Sequence, residues 1–134
     1  MNIRAILFAA SVVAAVIVFF TWDSIYGTRI NVQELSTAYT ENTKAADGKY
    51  LNKKLFVEGK VKAYYKLMGT RPVLELELSP NSIPVFFFFA TQEAESYAGR
   101  LQLGQQVVIK GKCLGKDEYS FVNGIKIDVE KFEE

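Results

Sequence analysis

At 134 residues the chain has room for one domain of ordinary size, and 16 Lys+Arg against 15 Asp+Glu leave no net field to draw in nucleic acid or acidic lipid. It contains no histidine, which removes the commonest general base and the commonest haem and transition-metal ligand. A lone cysteine, Cys113, excludes an intrachain disulfide and fits a reducing or an oxidising compartment equally.

From Ala5 to Trp22 the chain runs for 18 residues without a charge. As a helix this run would rise about 27 Å at ~1.5 Å per residue, close to the hydrocarbon thickness of a bilayer. Trp22 and Tyr26 stand where interfacial aromatics stand; Arg4 precedes the run and Asp23 follows it. This charge bias sets the N-terminus in the cytoplasm and the remainder outside. The competing reading is a cleaved signal peptide, but the run ends Val18-Phe19-Phe20-Thr21-Trp22, bulky where a cleavage site needs small residues. Residues 1–26 are therefore expected to be a transmembrane anchor and its flank, spanning over 3–22, with residues 27–134 as one domain.

Asp23 to Ile30 reads as a short tether. Asn31 is a helix N-cap with Glu34 at the capping-box position, and Val32, Leu35, Ala38 and Tyr39 form an apolar stripe at helical spacing. This helix, over about 31–44, is expected to fade before the turn signal Asp47-Gly48. In the first strand Leu55, Val57, Gly59, Val61 and Ala63 alternate with Phe56, Glu58, Lys60, Lys62 and Tyr64. Gly59 near its middle marks a bulge or a sharp bend, and a bent first strand can belong to two sheets at once. Tyr65 to Pro72 reads as a loop. Leu74, Leu76 and Leu78 mark a second strand, and Val85 to Ala90, with four consecutive phenylalanines, a third. Thr91 caps a short helix over Gln92 to Leu101, and Leu103-Gly104-Gln105 turns the chain. Gln106 to Leu114 is the fourth strand, with Val107, Ile109, Gly111 and Cys113 on one face. Tyr119 to Val129 is the fifth, with a bulge at Asn123-Gly124, and the acidic tail from Glu130 is expected to fray.

The order is helix, three strands, short helix, two strands. A helix between strands three and four is the mark of a mainly β, five-stranded OB-fold Greek-key barrel, whose end it plugs. An SH3-like barrel lacks that helix, and a ferredoxin-like fold needs one between strands one and two. The expected architecture is thus an OB barrel with an added N-terminal helix and an N-terminal transmembrane helix.

Asn42, Ala46, Lys49-Tyr50, Lys54 and Val57-Glu58-Gly59-Lys60-Val61, followed by the stretch Leu103 to Cys113, carry a resemblance to a family. Over roughly Val32 to Lys126 the chain resembles the small tRNA_anti-like OB-fold proteins. Many of these are bacterial membrane-anchored or lipoprotein modules. The resemblance implies a bacterial inner-membrane protein with its domain on the extracytoplasmic side. The shared motifs are glycines and alternating apolar residues, so they speak to fold, and the family name refers to likeness to anticodon-binding domains. No lipobox cysteine follows the apolar run. The chain is more loosely similar to the periplasmic haem chaperone of cytochrome c maturation, which attaches haem through a histidine. With no histidine here, that activity is not carried over and no cofactor is expected.

Structural roles fall to Gly59, Gly104 and Gly111. The candidate binding face is Phe86, Phe87, Phe88 and Phe89 with Lys60, Lys62 and Tyr64. Alternation sends two of the four rings outward, onto the sheet face where OB-folds take ligands. Outward rings can stack on bases or sugars, pack under the Val32–Tyr39 helix, or meet a partner protein. Lysines cluster between Lys44 and Arg71, but Glu75 and Glu77 are expected to pair across with Lys60 and Lys62 and neutralise them. The two glutamates are also the nearest approach to a catalytic carboxylate pair, and they have no histidine, no metal spacing and no cleft. No catalytic or metal residue is assigned, and Cys113 reads as a core residue. The expected function is a membrane-anchored, non-catalytic binding module contacting a protein partner as an accessory part of a membrane assembly. Its alternative is a ligand-binding OB domain for an oligosaccharide or single-stranded nucleic acid, with nucleic acid disfavoured outside the cytoplasm.

Overall fold

The computed structural model describes residues 27–117 and 123–133. The apolar run, residues 118–122 and Glu134 lie outside the described residues, and with them the expected anchor and its orientation. Among the described residues no helix is long and apolar enough to cross a membrane.

The elements are β1 (Thr28–Asn31), α1 (Val32–Glu41), α2 (Thr43–Tyr50), β2 (Lys54–Leu67), β3 (Arg71–Leu76), β4 (Val85–Phe89), α3 (Gln92–Ala98), β5 (Gln106–Asp117) and β6 (Gly124–Phe132). The sheet runs β1-β2-β3-β4-β6-β5, and β5 returns to pair with β2. Strands β2 to β6 thereby close a five-stranded barrel with α3 between its third and fourth strands, as an OB-fold requires.

Closure rests on β2 belonging to two ladders. Its first half, Lys54 to Lys60, pairs antiparallel with Lys112 to Gln106 of β5. From Val61 onward it pairs with β3. The shared strand is as expected, but the bulge is not at Gly59. The register shifts between Val61 and Ala63, so Lys62 is the extra residue. Gly59 is needed for space: a Cβ there would lie 2.9 Å from Leu76 Cδ1 and 2.9 Å from Val32 Cγ1. Gly111 is tighter, since its Cβ would meet the Asp128 carbonyl oxygen at 2.6 Å. Gly104 sits in the turn before β5, where its N–H donates to the Val61 carbonyl at 2.7 Å.

Four local expectations change. The tether contains a strand, β1, pairing parallel with β2 from Thr28↔Leu55 to Asn31↔Glu58. Four residues, Thr-Arg-Ile-Asn, are too few to show an alternation. The N-terminal helix is two helices. Asn31 caps α1 by accepting from Gln33 N–H at 2.8 Å, and Asn42 caps α2 by accepting from Ala45 N–H at 3.0 Å. Asp47-Gly48 therefore lies in a helix, where the Asp47 carboxylate accepts the Tyr39 hydroxyl at 2.8 Å. The Tyr65–Pro72 loop shrinks to Met68-Gly69-Thr70, with Met68 and Gly69 at positive φ, because β2 and β3 run on as a hairpin. The tail does not fray at Glu130: β6 continues to Phe132, 8% exposed, which stacks on Tyr97 at 4.7 Å.

Helices close both barrel ends. Leu35 and Tyr39 of α1 are buried, and Ser36 donates to the Ile83 carbonyl at 2.7 Å. At the other end α3 is capped by Thr91, whose hydroxyl accepts from Ala94 N–H at 3.1 Å, and it buries Ala94 and Ala98. Cys113 lies in the core as expected, its thiol pushed up mainly by burial.

Candidate functional site

Strand β4 has one residue in each environment by turns. Phe87, fully buried, belongs to the barrel core, while Phe88 belongs to a second apolar cluster outside it. Register places Phe88 between Val73 of β3 and Asp128 of β6, and Phe86 beside Lys126. Val73 and Phe88 are the dry centre of this outer cluster, with half-buried Tyr65, Leu67 and Phe86 packed around them. The Arg71 guanidinium lies 4.1 Å from the Phe88 ring centroid, close enough for cation–π attraction. Phe88 is only 3% exposed, while Arg71 itself is exposed. The Arg71 side chain thus lies over the ring of Phe88 at the solvent side of this cluster.

Polar groups rim it. Tyr65 donates its hydroxyl to Glu75 at 2.8 Å, and burial followed by that carboxylate pushes its pKa up to about 12. The β2–β3 hairpin rises beside the cluster, with Met68 71% exposed at its tip. Strands two and three of the barrel and the loop joining strands one and two are where OB-folds take ligands, and β3, β4 and this hairpin are those elements here.

The candidate residues read from the sequence separate into three places. Phe86 and Phe88 share the outer cluster. Phe87 is core. Phe89 points to the inner side at the α3 end, where its centroid is 6.2 Å from Tyr64 and 6.4 Å from Phe132. Tyr64 is opposite the core residue Leu74 in register and is therefore off the outer face. The bulge at Lys62 causes this: it inverts the parity of every later residue in β2 and puts Tyr65 outward in place of Tyr64. Lys60 and Lys62 are exposed. Neither forms an ion pair with Glu75 or Glu77: Glu75 lies opposite Ala63 and takes the Tyr65 hydroxyl. Glu77 does stand across from Lys60, its N–H donating to the Lys60 carbonyl at 2.8 Å, but the expected ion pairs are not formed. Covering by α1 is absent too, since its apolar stripe joins the barrel core and the Phe86/Phe88 side stays outside it.

Pattern reading missed Val73, and it set Tyr65 and Arg71 in a basic loop with aromatics and not on a strand face. One signal was available. Val73-Leu74 is an adjacent apolar pair inside an otherwise alternating strand, which marks burial on both faces. Among the described residues no group of three possible metal ligands comes together.

The family model tRNA_anti-like matches residues 7–125. The chain belongs to the tRNA_anti-like family. No curated protein matches it. Among solved structures, the tRNA_anti-like chain is similar to a "putative nucleic acid-binding lipoprotein" from Klebsiella pneumoniae, at 18% identity and a TM-score of 0.54, covering 77% of this chain and 91% of that one. It is similar to a putative aspartyl-tRNA synthetase from Leishmania major, at 15% identity and a TM-score of 0.53 over 78% of this chain, and spans 20% of that chain. It is similar to asparaginyl-tRNA synthetase from Pyrococcus horikoshii, at 20% identity and a TM-score of 0.51 over 78% of this chain, and spans 22% of that chain. At these identities the likeness is one of fold, and this family member spans about a fifth of either synthetase.

Proposed function

We propose that this chain is a membrane-tethered, non-catalytic OB-fold module whose outer β2–β3–β4 face binds a protein partner. One observation carries the reading: an aromatic cluster lies outside the barrel, and the guanidinium of Arg71 stacks over its buried Phe88. A barrel already closed around its own core has no structural need of a second cluster on its outer wall. Tyr, Phe and Arg around a desolvated centre, with a polar rim, are the composition of a protein-binding hot spot. Arg71, Glu75 and Asp128 all border the cluster, so the face is mixed in charge, which suits a protein surface better than a uniform polyanion. The tether is the apolar run over 3–22; its flanking charges favour the domain outside the cytoplasm, and the likeness to bacterial membrane-anchored family members favours an inner membrane.

A second reading, single-stranded nucleic acid, draws on the exposed Lys60, Lys62 and Arg71, for which Glu75 and Glu77 supply no ion pair. The name of the Klebsiella structure points the same way. Two measurements on the full chain in mild detergent separate the readings. Under the first, a crosslinked protein co-purifies with the wild type, is lost on combining Arg71→Glu with Phe86→Ser, and survives Lys60→Ala. Under the second, fluorescence anisotropy shows sub-micromolar, steeply salt-dependent binding of a short single-stranded oligonucleotide, weakened by Lys60→Ala.

A further inference from the structure

The barrel end farthest from the β2–β3 hairpin joins three features on one surface. Gly27, the first described residue, enters β1 there, against the Lys54 carbonyl. Lys54 stands directly opposite Lys112 across the β2–β5 ladder, and both are exposed, as is Lys53. Like charges placed opposite each other repel, so this pair adds nothing to the stability of the sheet. Beside the lysines, two large apolar side chains face solvent: Leu51 is 37% and Leu114 is 44% exposed. Both stand at the end of β5: Leu51 lies against Gly115, whose Cβ would come within 2.9 Å of Leu51 Cδ1, and Leu114 precedes Gly115 in the strand. Asp128 lies opposite Lys112 on its other side without forming an ion pair to it, and Asp47 is engaged by the Tyr39 hydroxyl.

We infer that this end of the barrel is a lipid-facing surface, with Leu51 and Leu114 entering the headgroup region and Lys53, Lys54 and Lys112 meeting anionic lipid phosphates. The inference rests on the tether proposed above. The four residues 23–26 separate Gly27 from Trp22, and the five steps between those two residues reach about 18 Å when fully extended. A span ending at Trp22 therefore holds this end within one short linker of the bilayer. Exposed leucines among lysines are the chemistry of an interfacial contact, apolar insertion joined to attraction for anionic headgroups. A nucleic acid would use the lysines and leave the two leucines in water. Docking of this end also turns the outer β2–β3–β4 face and its hairpin away from the membrane plane, toward a partner.

The test uses the full chain in lipid nanodiscs, with an environment-sensitive fluorophore on Lys49→Cys in a Cys113→Ala background. Lys49 is exposed in the last turn of α2, beside the proposed surface. Lipids carrying a shallow nitroxide should quench the label in discs containing phosphatidylglycerol. Quenching should fall several-fold in phosphatidylcholine discs, in high salt, on the triple change Lys53→Glu/Lys54→Glu/Lys112→Glu, and on Leu51→Ser/Leu114→Ser. It should be unmoved by Lys62→Glu/Lys66→Glu near the hairpin, and circular dichroism checks that each variant is folded. A label left unquenched while the chain resists alkaline carbonate overturns the surface and leaves the tether standing. Quenching that ignores lipid charge and the triple change overturns it as well. A chain that carbonate strips from the discs overturns the tether and this surface together.

Discussion

Phe87 and Phe88 are adjacent in the chain, carry the same ring and are 0% and 3% exposed. What covers them differs. Phe87 belongs to the closed core of the barrel, where uncovering it means opening the barrel itself. Phe88 is covered by Val73, a few half-buried neighbours and the Arg71 side chain. Similar dryness thus has different sources: one ring is enclosed in the barrel core, and the other lies on the outer wall beneath the Arg71 side chain. An outer cluster closed in this way is a surface that can open without costing the barrel its integrity.

The largest expected effects are on the inner side. Phe87→Ala leaves a ring-sized hole in the core and should cost about 3–5 kcal/mol, a large share of the roughly 5–15 kcal/mol that holds a domain together. Urea unfolding checks it, and a loss under about 1 kcal/mol, well below the usual range for such a hole, would remove the contrast with Phe88. Gly111→Val should cost about 3 kcal/mol or more, because its Cβ would meet the backbone carbonyl of Asp128, which can move only by parting β5 from β6. Gly59→Val should cost less, roughly 1–3 kcal/mol, because the atoms in the way are the side-chain ends of Leu76 and Val32. A melting temperature for Gly59→Val equal to wild type would show that the space inside β2 is not limiting.

The inner side is also where the sequence was legible. Period-two alternation in Leu55–Val61 and Val107–Cys113 is a direct image of a closed core, and the helix between strands three and four identified the barrel. The outer side was legible only in part, for two physical reasons. A bulge has no residue signature of its own: Lys62 looks like any exposed lysine, yet it decides that Tyr65 and not Tyr64 joins the face. The stacking of Arg71 over Phe88 is a long-range contact between a hairpin and a strand that pattern cannot express. The second helix was obscured by Asp47-Gly48, where turn chemistry yielded to a cap from Asn42 and a hydrogen bond from Tyr39. The strand β1 was too short to carry a period.

On the outer side the effects should be smaller and of a different kind. Arg71→Ala removes a cation–π contact and should cost about 1 kcal/mol while making Phe88 accessible. Binding of an apolar dye to the native protein should rise together with that small loss of stability. Arg71→Lys keeps the charge but gives up the flat stacking surface, and should fall between the two. Dye binding that stays at the wild-type level in Arg71→Ala would mean that the neighbouring side chains alone hold Phe88 dry, and the ring would then be tied to the fold as firmly as Phe87.

The smallest effect sits at the rim and is read through pH. Tyr65 has its hydroxyl pushed up to about 12, first by burial and then by the hydrogen bond to Glu75. In the unfolded chain the same group titrates near ~10. Below pH ~10 both states hold the proton, and Tyr65 adds no pH dependence. As pH rises from ~10 toward about 12 the unfolded chain releases the proton while the folded chain keeps it, so unfolding gains free energy and stability falls. Tyr65→Phe has no such proton. Its alkaline loss of stability should be shallower than that of wild type between those limits, and its stability at neutral pH only slightly reduced. Some slope must remain, since Tyr39 is raised further in the same direction by burial and by Asp47. Urea unfolding at a series of alkaline pH values gives both slopes. Equal slopes would place Tyr65 in water in the folded state, and the rim of the outer face would then stand open beside Glu75.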